Sequence, residues 1–494
     1  MIELVAVVVT LVLLYLWQRN NSTGNSSKTL PPGPERTLIG GNLKDLDVDR
    51  VHQSLHSLSH KYGPIVSLRL LKKKIVVLNS ADVINKAFAS EENKALLNDK
   101  TKGFYGTYLV YGHADVLLGP YSALTFRIKD VMYQGLRPSM APAEIRAECL
   151  GLVQSLAESG GRDFDPSIIV EKLLAEVTSK VICGHVREGD ADVMWDFVDW
   201  SNKLLNPSME GWLKNFPYLR HFPCKSGRLF QTVKTKRDQL MKRYLDDARE
   251  SYKSGLIRGM VDTCFHIQSS EKGPDGNSWL SDDMIRATIL DTIGAGLVST
   301  RNSIMATLLN LLHNKECTER MREEISRELK SHITSGGDDM KKMPYSHAVI
   351  LETLRLSCVV PIVSHYCSTK DVQFNGYTIE KGTMVWGNIW SCHHDDTWGD
   401  PWSFRPKRFL TEEGTVLPKS HKLMKAFMPL GVGCRYCVGS DIAIQRIFAY
   451  ITTIVQQFDI YPPKDSELLS NDPNLFTAGA VLQLDRFNCR MIRR

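Results

Sequence analysis

The chain has 494 residues, beyond the roughly 250–300 that a single hydrophobic core serves, so two domains or one large fold is expected. Apolar residues make up 43% and charged residues 23%, ordinary globular usage that argues against wholesale disorder. The net charge of +6, with no basic stripe interleaved with aromatics, argues against nucleic acid as a partner and leaves room for an acidic protein or an anionic membrane.

The first apolar run, IELVAVVVTLVLLYLW (2–17), is followed by Gln18, Arg19 and the polar tract NNSTGNSSKT. It is a little short of the roughly 20 residues of a bilayer span, a gap that tilt or local thinning closes. A cleaved signal peptide needs a positive leading region and a small-x-small cleavage site, and both are missing. Arg19, Lys28 and Arg36 follow the run and no basic residue precedes it, so the positive-inside rule keeps the body cytoplasmic. Residues 1–18 therefore read as an uncleaved single-pass transmembrane anchor. Residues 19–36 read as a polar linker ending in the stiff LPPGP spacer, and 37–494 as the body. Sequons starting at Asn20, Asn21 and Asn25 are expected to stay unmodified on that side.

RVHQSLHSLSHKYG predicts a helix, PIVSLRLLKKKIVVLNS a β-hairpin, and Ser80 a cap for the helix after it. From about 120 to 460 the text is mostly helical, broken at SSEKGPDGNS (269–278) and TSGGDDMKK (334–342). No repeat with a period of 20–50 residues is present. The expected fold class is mainly α, with a small β-rich portion towards the N-terminal side. One predicted helix, from Ser281 through about 30 residues, starts with Asp282 and Asp283 at its positive end. It carries Gly294 and Gly296 mid-helix, each costing about 1 kcal/mol relative to alanine. Close helix packing explains them, and so does the approach of a flat ligand or a small gas molecule to the backbone.

Eleven scattered cysteines, an odd number, suit free thiols in a reducing compartment better than a disulfide framework. Two stand three apart in FMPLGVGCRYCVG (427–439). A zinc site at Cys434 and Cys437 needs two more N or S ligands, and no second close pair exists. His393 and His394 in SCHHDDTWGDP could serve only over long range, and HHDD reads as a polar loop. A dithiol couple needs the motif after a strand, where the text is turn-like. The third reading is haem ligation by one thiolate. GSDIAIQRIFAYITTIVQQF (439–458) is a strong helix, and a cysteine just before it meets a positive helix end that lowers its pKa.

At this point the sequence resembles the cytochrome P-450 family, whose ligand loop reads Phe-x-x-Gly-x-Arg-x-Cys-x-Gly. With Cys434 as ligand only Phe427 matches. With Cys437, Gly433, Arg435 and Gly439 all match, and Leu430 stands for the Phe. The resemblance implies the cytochrome P-450 fold after a membrane anchor, with 37–494 the catalytic domain and haem b ligated through Cys437. Gly433 would let the backbone turn beneath the porphyrin, Gly439 would let the helix start close to it, and Arg435 would pair with a propionate. Glu352-x-x-Arg355, crowded by apolar neighbours, implies a buried pair whose third partner is Arg408 of PKRF, structural in role. His365 falls where many animal members bind a propionate. GAGLVST matches the oxygen-binding helix. Ala295 and Gly296 would lie against the haem, and Ser299, with Thr300, would hydrogen-bond dioxygen and relay protons. Val298 replaces the usual acid. In GPYSALTFRIKDVMYQGLR the Trp and Arg of the family helix become Thr125 and Lys129, with Arg127 a rival cation.

The implied function is a membrane-bound monooxygenase of the endoplasmic reticulum acting on a lipophilic, steroid-like substrate. It would use O2 and electrons from NADPH–cytochrome P-450 reductase, with cytochrome b5 as a further donor. Two alternatives stay open: reductase-independent rearrangement of hydroperoxides, suggested by Val298, and haem binding with little catalysis.

Overall fold

The β-rich runs IVSLRL and KKIVVL pair as the expected hairpin. Strands β1 (Ile65–Leu70) and β2 (Lys73–Leu78) run antiparallel with Ile65 opposite Leu78. The computed structural model describes residues 29–38, 40–273, 276–479 and 481–494, with the backbone alone at 207, 208, 210 and 365. The proposed anchor at 1–18, the three sequons and the first part of the linker lie outside the described residues. Among the described residues no helix is long and apolar enough to cross a membrane.

Two compact units emerge. The first takes the described residues to Thr101 together with Ile362–Ser391. Its five-stranded sheet has the order β1-β2-β7-β4-β3, with β3 Asp99–Lys100, β4 Ile362–Cys367 and β7 Met384–Asn388. β5 (Val372–Phe374) and β6 (Tyr377–Ile379) form a separate hairpin. Its turn is Asn375–Gly376, both at positive φ, as the right-handed strand twist favours in two-residue loops. Helix α1 (Val51–Tyr62) covers the sheet and places Leu55 in a core with Val66, Leu68, Ile75, Val77 and Met384. Ser80 sits at the N-cap position of α2 (Ala81–Phe88), but its side chain makes no capping hydrogen bond.

The second unit, Lys102–Pro361 with Cys392–Arg494, is helical. Its longer helices are α3 Ala123–Leu136, α4 Pro142–Ala157, α5 Ser167–Cys183, α6 Asp190–Leu205, α7 Lys225–Met241 and α8 Met260–Ser270. They continue as α9 Asp282–His313, α10 Lys315–Leu329, α11 Pro344–Ser357 and α12 Ser440–Gln457. α9 is 32 residues long, about 48 Å at 1.5 Å per residue. Ser281 caps it, its hydroxyl accepting from the Met284 N–H, and Asp282 and Asp283 complement its positive end. From Leu297 to Leu311 every residue but Ser299 is buried, because α5, α11 and α12 pack around this helix.

Candidate active site

The site is built at the start of α12. Residues 428–437 fold back on themselves: the Gly431 N–H donates to the Met428 carbonyl (3.1 Å), and the Cys437 N–H to the Leu430 carbonyl (2.9 Å). Gly433 opens a 3-10 turn at φ +62°, a conformation that strains residues with a Cβ. Cys434 lies inside that turn. Of the eleven cysteines, all free and all among the described residues, Cys437 alone is exposed.

Burial nevertheless pushes the Cys437 thiol above its ordinary value, opposed by the Gly439 N–H and by Lys129. This corrects the sequence-based expectation of a lowered pKa: the helix-end donor is present, but desolvation outweighs it.

Lys129 on α3 donates to the Cys434 carbonyl (3.0 Å) and the Tyr436 carbonyl (2.7 Å), so it grips the cysteine loop directly. Arg127 is directed elsewhere: it pairs with Glu271 at 2.7 Å and lies over the Trp279 ring at 4.0 Å. The structure therefore brings Lys129, and not Arg127, to the loop. Thr125 lies in the first turn of α3, its N–H donating to Oγ of the N-cap Ser122 and its hydroxyl to the Pro120 carbonyl. Arg435 donates through Nη1 to the Val116 carbonyl (3.0 Å) and through Nη2 to that of Gly119 (2.8 Å), tying the loop to the segment before α3. His365 belongs to β4 in the first unit, and its side chain lies outside the described residues.

On α9 the burial pattern breaks at one place. Ala295 and Gly296 are exposed and Ser299 is partly exposed, whereas Leu297, Val298 and Thr300 are buried. A Cβ added at Gly294 or Gly296 would meet nothing within 4 Å, so close helix packing does not explain these glycines. Open space beside the helix does. Ser299 donates its hydroxyl to the Ala295 carbonyl (2.8 Å), keeping its oxygen lone pairs for other donors.

The Glu352 trio forms as the sequence implied. Glu352 holds Arg355 through two bonds of 2.8 and 2.9 Å and Arg408 through one of 2.9 Å. Glu352 and Arg355 are fully buried. Arg355 and Arg408 spend their remaining donors on carbonyls of 393–403, among them His393, Pro401 and Asp400.

Two features went unseen in the sequence. HHDD is only in part the polar loop it reads as: His393 and His394 are 0% and 3% exposed, while Asp395 and Asp396 reach the surface. They also join no metal cluster, since none exists among the described residues. Asp115, buried, and Asp291, partly buried, form a carboxyl pair, with Asp291 accepting from the Val116 and Leu117 N–H groups. Burial raises both pKa values, that of Asp291 well above the ordinary range. Asp291, eight positions before Ser299 in an apolar helix, was the available signal. Nothing in the text marked the histidines.

A planar cofactor fits these residues. There is one accessible thiol, and a Cβ at Gly439 would stand 4.0 Å from its sulfur. Cations hold the loop, and a side-chain-free notch lies on α9, which packs against α12. A mainly helical body with these parts defines a haem-thiolate oxygenase. The chain belongs to the cytochrome P450 family, whose model matches residues 31–486. It is 27% identical to cytochrome P450 2C70 of Rattus norvegicus, covering 96% of each chain. It is also 27% identical to farnesoate epoxidase of Bombyx mori over 90% of each. Identity to steroid 17-alpha-hydroxylase/17,20 lyase of Gallus gallus is 25%, over 99% of this chain and 97% of that one. The protein is accordingly a P450 monooxygenase whose cofactor is haem with a cysteine thiolate ligand, using O2 and NADPH-derived electrons.

Proposed function

We propose that this chain hydroxylates a lipophilic, steroid-like substrate, with Cys437 as the thiolate ligand and electrons delivered by NADPH–cytochrome P-450 reductase, cytochrome b5 being a further donor. The observation that carries the ligand assignment is the exposure of Cys437 alone, at the start of α12 and under a glycine. Bound haem supplies oxygen activation, favoured by electron density from the thiolate.

The chain's own residues do the rest. Lys129 and Arg435 hold the loop that presents the sulfur, and their charge suits carboxylate groups of the cofactor. Ala295 and Gly296 leave room for a flat ligand, while Gly433 lets the thiolate loop turn at positive φ and Gly439 starts α12 beside the sulfur. Ser299, whose oxygen is the accessible hydroxyl on that strip, holds and passes a proton, with Thr300 behind it. The relatives named above include a farnesoate epoxidase and a steroid 17-alpha-hydroxylase/17,20 lyase, which supports a lipophile.

Residues 1–18 are read as a single-pass anchor in the endoplasmic reticulum membrane, 19–36 as its linker and 37–494 as the cytoplasmic catalytic domain. Trp212, Phe216, Tyr218 and Phe222, all exposed and in ring contact in series, support contact with lipid. Val298 is buried where the family's acid stands, which favours as second reading a rearrangement of oxygenated substrates without reductase. Dependence of turnover on NADPH and reductase separates the two.

The ligand is tested by the absorption band of the reduced CO complex, after which the family is named. Cys437→Ala abolishes it and Cys434→Ala retains it. The opposite pattern overturns the assignment.

A further inference from the structure

We infer that His393 is a positioning residue for the thiolate, transmitting the rigidity of the Glu352–Arg355–Arg408 trio to the cysteine loop; this rests on Cys437 being the ligand. His393 ends the short helix Ile389–His393 and is fully buried. Both of its ends are engaged. Its carbonyl accepts from Arg355 Nη1 at 2.7 Å. Its ring Nε2 accepts from the Met428 N–H at 3.1 Å. An accepting Nε2 requires the neutral imidazole with its proton on Nδ1. Burial, with the charges of His394 and Arg355, holds the ring well below its usual pKa and so keeps that state.

Met428 starts the fold-back of the loop, because its carbonyl takes the Gly431 N–H and that of Leu430 takes the Cys437 N–H. The imidazole also stacks on Phe427, centroids 5.9 Å apart and planes 19° apart. Phe427 in turn meets Phe409 edge-on at 5.1 Å, next in sequence to Arg408 of the trio. A continuous path thus runs from Arg355 through one residue to the base of the thiolate loop.

The choice of histidine is costly to the fold. Nδ1–H is buried and makes no hydrogen bond of full geometry, with only the Arg355 backbone near it, and such a group recovers little of its lost hydration. A phenylalanine would keep the stacking and avoid that cost. What only the histidine side chain supplies is an acceptor for Met428. Stability and ligand placement therefore pull in opposite directions at this position, which makes the role separable from a merely structural one.

The test uses the full chain reconstituted with haem and compares His393→Phe with His393→Gln, whose amide oxygen can accept from Met428. The first readout is the ratio of thiolate-type to shorter-wavelength absorption in the reduced CO complex; the second is thermal stability of the haem-free protein. His393→Phe is expected to hold or raise the melting temperature while the thiolate ratio falls roughly fivefold, the equilibrium equivalent of one lost hydrogen bond. His393→Gln is expected to keep the ratio near wild type.

The inference is overturned if the phenylalanine variant keeps the wild-type ratio, or if the glutamine variant loses it too. Should the phenylalanine variant not fold, the glutamine variant alone decides, by the same criterion. Cys437→Ala measured alongside distinguishes the failures. If it abolishes the band and His393→Phe leaves it intact, the ligand assignment stands and the positioning role falls. If it retains the band, the ligand assignment itself has failed.

Discussion

Replacing Glu352 by glutamine strips the only carboxylate from a site holding two guanidinium groups. Glu352 and Arg355 have no exposed side-chain area and Arg408 has 5%, so water does not screen the loss. The carboxylate accepts four bonds: two from Arg355, one from Arg408 Nε and one from the Arg405 N–H at 2.8 Å. A glutamine oxygen can keep those on one side, but its amide then faces an arginine donor on the other.

Breaking a buried pair by removing one partner costs about 3–5 kcal/mol, because a charge is left without compensation. The same change at an exposed pair costs about 0–1 kcal/mol, and Asp283–Arg286 on the outer turn of α9 provides that control. A loss of 3–5 kcal/mol raises the unfolded fraction roughly a hundredfold to several thousandfold. It is also a large part of the about 5–15 kcal/mol that typically holds a fold together. Denaturant titration followed by far-ultraviolet circular dichroism reads the shift in midpoint for Glu352→Gln beside Asp283→Asn. A Glu352→Gln loss below about 1 kcal/mol, the level of the exposed control, would refute the argument that the trio is held by unscreened charge.

Two further outcomes follow from the same reasoning. Asp115 and Asp291 have raised pKa values from burial, so the folded state binds more protons than the unfolded one, and stability falls as pH climbs above the unfolded carboxyl value of about 3.9. Asp291→Asn, which keeps an acceptor for the Val116 and Leu117 N–H groups, should flatten that fall; melting temperatures that keep the wild-type slope between mildly acidic and neutral pH would contradict it. His113 and Tyr105 also act electrostatically on or with this pair, and their substitution should leave the slope in place. Gly296→Ala puts a methyl group where nothing lies within 4 Å, so the haem-free protein should gain up to about 1 kcal/mol in helix propensity while haem or substrate fits less well; a destabilised haem-free variant would instead mean that the helix packs closely there.

Much of this protein was legible because its strongest signals are local. Asp282 and Asp283 at a helix start, a pair of short β-rich runs, and a loop that needs Gly433 at positive φ each report on a few neighbouring residues. Register against the family's loop separated Cys437 from Cys434 in the same way. The failures have one cause. Ser80 has the composition of a cap and makes no capping bond. The text HHDD has the composition of a surface loop, yet its histidines are enclosed by Phe427, Trp398 and Trp402, residues 5 to 34 positions from their partners. Lys129 and Arg127 are indistinguishable by charge and spacing; the turn of α3 sends one to the cysteine loop and the other to Glu271.

The sequence by itself determined the helical character, the hairpin, the buried ion trio and which cysteine matches the ligand position, since each depends on residue type at short spacing. Only the tertiary structure decided whether a polar side chain meets water or another part of the chain. That is why the sign of the Cys437 shift, the pairing of Asp115 with Asp291, and the engagement of His393 with Met428 became visible there. Desolvation and long-range hydrogen bonds depend on what packs nearby in space, and proximity in space is not written in any window of the chain.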